Sequence, residues 1–194
     1  MKKAIYLAGL LSLSSLAYAA VGPIVPSGGS VEVLAIGKPS FIKIRGKGKP
    51  ASGRVTMESG KLNGQFSFEL GSIDTGITLR NEHMRDKYLE VQKYPMATLE
   101  LREVQLPETW SPEKSKTDER PFKGALNLHG VTQETTGKFH IIETGAVVAE
   151  FKIKLSDFKI EIPEYMGIKV ADEVAVTVNF ENVKVEPQSP EKAQ

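Results

Sequence analysis

Glu82, His83 and Asp86 bring two carboxylates and an imidazole within little more than one helical turn, residue types that ligate metals or move protons. Their spacing is not the H-E-x-x-H of a zinc helix, and the two other histidines, His129 and His140, lie far along the chain without a paired spacing. His129 follows Leu126 and Leu128, and His140 lies between Phe139 and Ile141, so alternation turns both outward. Ser156-Asp157-Phe158 sets a serine beside an acid with no histidine nearby and no G-x-S-x-G, and reads as a capped strand end. Arg45-Gly46-Lys47-Gly48-Lys49 is rich in glycine, but no helix follows it, so it reads as a turn between strands rather than a phosphate loop. An enzyme built on His83, Glu82 and Asp86 is the weakest of three functional readings. No motif implies a resident cofactor, and so sparse an inventory favours binding over catalysis.

The elements that carry these residues are mostly strands. Every second residue is apolar in Gln65–Leu70, Ala97–Arg102, Glu150–Leu155 and Val174–Phe180, the mark of a strand with one dry face. Shorter strands are expected at Val31–Ile36, Phe41–Arg45, Arg54–Glu58, Phe122–Leu128 and Thr135–Ile142. That makes about eight or nine, with Ser59-Gly60, His129-Gly130 and Thr144-Gly145 among the turns. A sheet apolar on one side throughout must hide that side, as a sandwich or as a barrel that also removes its edges. Near eight strands a barrel is either filled by side chains or holds one small ligand, and periodicity alone does not choose.

One helix interrupts the strands. Ile77, Met84, Tyr88 and Val91 form a single helical stripe, with Thr78 as the expected N-cap and Pro95 forcing an end by Tyr94. Met84, Tyr88 and Val91 are the packing residues of this insert, which is expected to close one end of the sheet structure.

Lys2 and Lys3, an apolar run from Ala4 to Leu16 and Ala17-Tyr18-Ala19 read as a Sec-type signal peptide over residues 1–19, cleaved after Ala19. The mature chain is expected in the periplasm as one domain over 20–185, with a frayed tail at 186–194 and no transmembrane segment. Val21–Ser30 reads as a Pro/Gly/Ser-rich leader and Pro107–Arg120 as a polar loop holding Trp110, the single tryptophan. There is no cysteine, so neither a disulfide nor a lipoprotein anchor can form. Without Lys2 and Lys3, the 25 basic residues fall to 23 against 24 acidic, a formal charge of −1. No basic stripe suggests nucleic acid as a partner. A homodimer is compatible with the sequence.

SIDTGITLRNEHMRDKYLEVQKYPMATLEL, residues 72–101, resembles the central signature of the YceI-like family: a strand ending in S-I-D-T, an R-x-x-H-M/L helix and a K-Y-P-x-A strand. Gly124–Thr132 is similar to that family's G-x-L-x-x-x-G-V-T hairpin, and Phe151–Phe158 with Asp172–Phe180 resembles its final strands. The resemblance implies an all-β, extended antiparallel lipocalin-like barrel of about eight strands with one short helical insert. It further implies a tunnel for a polyisoprenoid or similar amphiphile. Residues 28–48, GGSVEVLAIGKPSFIKIRGKG, carry neither the aspartate nor the D-x-x-H-S stretch common at the front of family members. Contacts made there in relatives are therefore not carried over.

On this reading Phe66, Phe68, Leu70, Leu99, Leu101, Leu126, Leu128, Phe151, Ile153, Leu155, Val176, Val178 and Phe180 point inward and line the slot. Arg80, His83 and Arg85 are the headgroup candidates at its mouth, through bidentate contact with phosphate or donation to a quinone oxygen. A tail burying about ten methylene groups gains on the order of 8 kcal/mol before the cost of ordering. The expected function is an exported carrier of an isoprenoid, quinone or similar amphiphile. The remaining alternative is a secreted interaction module whose barrel is full.

Overall fold

A computed structural model describes residues 21–38, 40–58, 60–106, 116–142, 145–165 and 167–185. The expected signal peptide, Trp110 with most of its loop, and the tail after Val185 lie outside the described residues.

The alternating segments pair, neighbour on neighbour, into one antiparallel sheet. Its strands are β1 (Val21–Ser27), β2 (Ser30–Lys38), β3 (Lys43–Gly48), β4 (Ser52–Glu58), β5 (Lys61–Glu69), β6 (Met96–Gln105), β7 (Arg120–Leu128), β8 (Val131–Ile141), β9 (Val147–Lys154), β10 (Glu164–Tyr165), β11 (Ile168–Phe180) and β12 (Asn182–Val185). The order is β12-β1-β4-β5-β6-β7-β8-β9-β11-β2-β3, with β10 paired to β11 alone. The sheet curls so that distant strands meet across the interior: Phe66 of β5 lies 5.4 Å, ring to ring, from Phe180 of β11. The fold is thus an all-β, lipocalin-like half-barrel with one short helix.

Register explains why one face is dry. Phe66 pairs with Leu99 and Leu99 with Leu126, a continuous apolar row across β5, β6 and β7. On the other side Val174 pairs with Ile153 and Val176 with Phe151. A shift of one residue in any of these strands would turn its apolar set to water.

Among the described residues there are twelve strands, against the eight or nine expected. Val21–Ser30 is not simply a leader: Val21–Ser27 is a strand between β12 and β4, despite Pro23 and Pro26. The proline signal there was outweighed by pairing on both sides, and the β1–β4 register shifts between Val21 and Ile24, next to Pro23. β10 and β12 are too short to show a period.

The glycine-rich stretch is also not a turn, since Arg45 to Gly48 belong to β3. β3 ends the sheet path and lies against the segment after β5: Lys47 and Asp74 exchange backbone hydrogen bonds at 2.9 Å in each direction. A Cβ at Gly46 would fall 2.7 Å from Ile73 Cγ2 and 2.9 Å from Val33 Cγ2. Glycine is needed for this close approach rather than for bending the chain.

The helical insert is shorter than its apolar stripe. α1 runs Thr78–His83, a wider π-helical turn follows over Met84–Tyr88, and Glu90 turns left-handed at φ 45. Leu89 N–H reaches back to Met84 O at 2.9 Å, five residues rather than four, which keeps Met84 and Tyr88 against the interior with Leu89. Thr78 is not the cap. Ile77 takes that position and no side chain caps the helix.

Gly46→Val should therefore cost about 1–3 kcal/mol by overpacking against Ile73 and Val33. Urea unfolding monitored by circular dichroism measures it, and an unchanged midpoint would mean that β3 does not lie against the Ile73–Asp74 segment.

Candidate functional site

Strands with one dry face should bury their largest side chains completely, yet among the described residues no large side chain falls below 2 % exposure. The reason is a cavity of about 590 Å³ that runs through the interior of the half-barrel. That is within the range of small-molecule sites. Its wall includes all thirteen alternating residues from Phe66 to Phe180 named above. Several of them, including Phe66, Phe68, Leu99, Leu101, Phe151 and Ile153, are only half-buried because they face this space. An interior with room of this size does not match the filled-barrel alternative.

The mouth can be located from exposure. Of the lining residues, only Ile77, Leu79, His83 and Glu164 are exposed. All four lie on α1, its lead-in or β10, so the cavity opens beside the helical insert. Apart from Ser67, the polar lining is concentrated at that end too, as Thr75, Arg80, His83, Tyr88 and Glu164. Away from the mouth, Val104, Leu106, Phe122, Phe139 and Ile141 form a buried cluster that also lines the cavity.

A hydrogen-bond network shapes the rim. Asp74 Oδ1 accepts from Gly76 N–H at 2.8 Å and from Asn81 Nδ2 at 2.7 Å. Asn81 Oδ1 accepts from the Thr75 backbone N–H at 2.9 Å and from its hydroxyl at 2.6 Å. Arg80 donates from Nε to Thr75 Oγ1 at 2.8 Å and from Nη2 to Thr75 O at 2.6 Å. The S-I-D-T and R-N residues therefore tie the lead-in, α1 and, through the Lys47–Asp74 pair, β3 into one rim. The Gly76 N–H, then the Asn81 amide and the charge of Arg85, hold the Asp74 carboxyl below its ordinary value of 3.8.

The three headgroup candidates separate. Arg80 and His83 line the cavity, Arg80 with two donors already given to Thr75. Arg85 turns away from it and donates from Nη2 to Ile73 O at 3.1 Å, behind the wall. Glu82 and Asp86 are exposed beside His83, and among the described residues no three histidine, cysteine, aspartate or glutamate side chains are grouped to hold a metal. Ser156 donates to Asp172 Oδ2 at 2.6 Å at an exposed turn, so its hydroxyl is engaged by a carboxylate rather than by a histidine. Met84, Tyr88 and Val91 pack on the interior cluster of Leu70, Ile73, Leu89 and Leu128.

His129 is not outward. It takes φ 53 in the β7–β8 turn, and its side chain is only 10 % exposed. Nε2 meets Glu90 Oε2 at 2.7 Å, Nδ1 meets Phe158 O at 3.2 Å, and the ring lies 4.5 Å from that of Tyr94. His129 thereby clamps the end of the helical insert to the turn after β9. Alternation missed it because a left-handed residue breaks the two-residue period, and the His129-Gly130 pair was the available signal.

The YceI-like domain family matches residues 24–182. Among solved structures, a polyisoprenoid binding domain from Saccharophagus degradans superposes with a TM-score of 0.61 at 17 % identity, covering 86 % of this chain and 99 % of that one. BcnA from Burkholderia cenocepacia gives 0.62 at 22 %, covering 80 % and 96 %. The Campylobacter jejuni YceI protein gives 0.52 at 19 %, covering 75 % and 86 %. A search of curated proteins found no match.

Because the Asp74 carboxyl is held low in the folded protein, the stability it contributes is present above about pH 3.8 and fades as pH falls below that value. The gap in urea midpoint between wild type and Asp74→Asn should accordingly shrink between pH 6 and pH 3; a constant gap would mean that the carboxylate charge is not what the rim uses. With the family matched over 24–182 and its fold superposing along nearly the whole of two solved relatives, this chain belongs to the YceI-like family.

Proposed function

We propose that the protein is an exported, periplasmic carrier that holds a long-chain isoprenoid, quinone or similar amphiphile in the half-barrel, without catalysing a reaction. The observation that carries this reading is the 590 Å³ cavity, apolar along its length and polar at its mouth. That is the polarity of an amphiphile bound tail first. Membership of the YceI-like family supports it, as does the fold shared with a domain described as polyisoprenoid binding. Each buried methylene contributes about 0.8 kcal/mol, so chain length drives affinity and the mouth sets orientation. The signal peptide expected over residues 1–19 supports export, and on this reading His83 and the remaining donors of Arg80, both in the lining near the mouth, are the headgroup contacts.

Native mass spectrometry of protein purified under mild conditions should show a bound lipid that solvent extraction releases. Repeated extraction without a lipid, together with no uptake of a fluorescent polyprenyl probe, would remove the carrier reading. Leu99 touches both interior clusters and so lies near the middle of the cavity. Leu99→Trp should weaken the polyprenyl probe by about tenfold or more while thermal stability changes little, since the added rings fill existing space. Unaltered probe affinity would place the bound tail elsewhere.

A further inference from the structure

We propose that the mouth of the cavity is also a docking surface for an anionic lipid bilayer, formed by the β2–β3 turn, the lead-in to α1 and the start of β11. This extends the carrier reading, because a water-insoluble tail has to pass between a membrane and the cavity.

Three large apolar side chains stand in water around one opening. Phe41 is 80 % exposed, Ile77 52 % and Leu79 49 %. Single exposed apolar residues are unremarkable, but three around one opening are not. Ile42, next to Phe41, lines the cavity together with Ile77 and Leu79. The antiparallel Lys47–Asp74 bridge explains the meeting: β3 runs back toward Phe41 as the chain beyond Asp74 runs forward to Ile77 and Leu79.

The same rim is basic. Lys38 of β2 pairs in register with Lys169 of β11, and Lys43 and Arg45 point outward from β3 while Ile42 and Ile44 point in. Among the described residues, none of these four cations forms an ion pair with a carboxylate. Elsewhere on the sheet the pattern differs: Lys61, Lys138 and Lys152 each hold a glutamate at 3.1 Å or less. The acids near the mouth are Asp74 in the lead-in, which already accepts from Gly76 and Asn81, Glu164 on β10, opposite Lys169 in register, and Glu82 and Asp86 on the helix. Lys38, Lys43 and Arg45 leave the β2–β3 side the more positive one.

Apolar side chains ringed by lysines are what an anionic interface attracts: the cations meet the headgroups and Phe41 enters the boundary beneath them. Docked this way, the cavity faces the bilayer and a tail crosses without meeting water. Charge on β3 has a second use, since lysines on an edge strand discourage strand addition. That use predicts no response to lipid.

Flotation of the purified protein with vesicles of phosphatidylglycerol in phosphatidylcholine, against phosphatidylcholine alone, tests the proposal. Retention should depend on phosphatidylglycerol and weaken as salt rises. Lys43→Glu combined with Lys169→Glu should lower it at least on the order of tenfold, given about fivefold per basic residue near such a surface. Phe41→Ser, a change at an exposed turn, should reduce the retention that survives raised salt. Vesicle retention is read without regard to what fills the cavity, so it can fail while probe uptake succeeds, and the reverse. Retention that ignores phosphatidylglycerol, variants that float as wild type does, or protein that stays in solution with both vesicles would each overturn the assignment.

Discussion

A strand that is apolar at every second position can be stable only if that face is kept from water, and here nearly every strand is of that kind. The sheet answers by curling until its dry face meets itself, as in the approach of Phe66 to Phe180. It does not curl until it is full. A sealed, dry void of 590 Å³ would forfeit roughly 14 kcal/mol at about 24 cal/mol per Å³, as much as a whole domain's usual stability. The chain has no cysteine to offset such a loss. A hollow interior is therefore tolerable only with an opening, an occupant or both, and the rest of the structure is arranged around the opening.

Holding the walls apart falls to polar contacts at the mouth, where hydrophobic packing alone would favour collapse. Asp74, Thr75, Arg80 and Asn81 bind the lead-in to α1, while the Lys47–Asp74 backbone pair binds it to β3. At the far end of the insert His129 clamps Glu90 against the turn at Phe158. The helix, too short to be stable alone, is thus pinned at both ends. Much of what looks like chemistry in the sequence is consumed by this task. Arg85 and His129, and two of the donors on Arg80, serve the frame.

The strands with two-sided contrast could be read directly, because burial of one face imposes a period of two on β5, β6, β9 and β11. The wall of the cavity could be read for the same reason. Missing from the sequence reading were features set by pairing or by turns. β1 carries Pro23 and Pro26, which local propensity excludes from a strand, yet it is held by β12 and β4. Gly46 and Gly48 look like a turn until the Leu70–Asp74 segment is placed against them, since close approach and tight bending call for the same residue. His129 was misassigned because φ 53 re-aims its side chain. Hollow and solid interiors could not be separated at all: both require the same alternation, and only the half-buried state of residues such as Phe151 distinguishes them.

For an amphiphile held in such a site, selectivity follows from how the polar groups are already used. Along the wall there is little to hydrogen-bond, so discrimination there rests on length and cross-section, each methylene adding about 0.8 kcal/mol. At the mouth, the Arg80 guanidinium is already anchored by Thr75, which would fix its direction toward a headgroup but removes the geometry for a free fork-to-fork grip. His83 and Glu164 stand in water, where each contact competes with solvent. Tail contacts are thus strong and general, whereas head contacts are weak and directional. A carrier needs that division if it is to release its cargo: affinity gathered methylene by methylene can be surrendered in the same increments to a bilayer, with no single buried polar contact to break first.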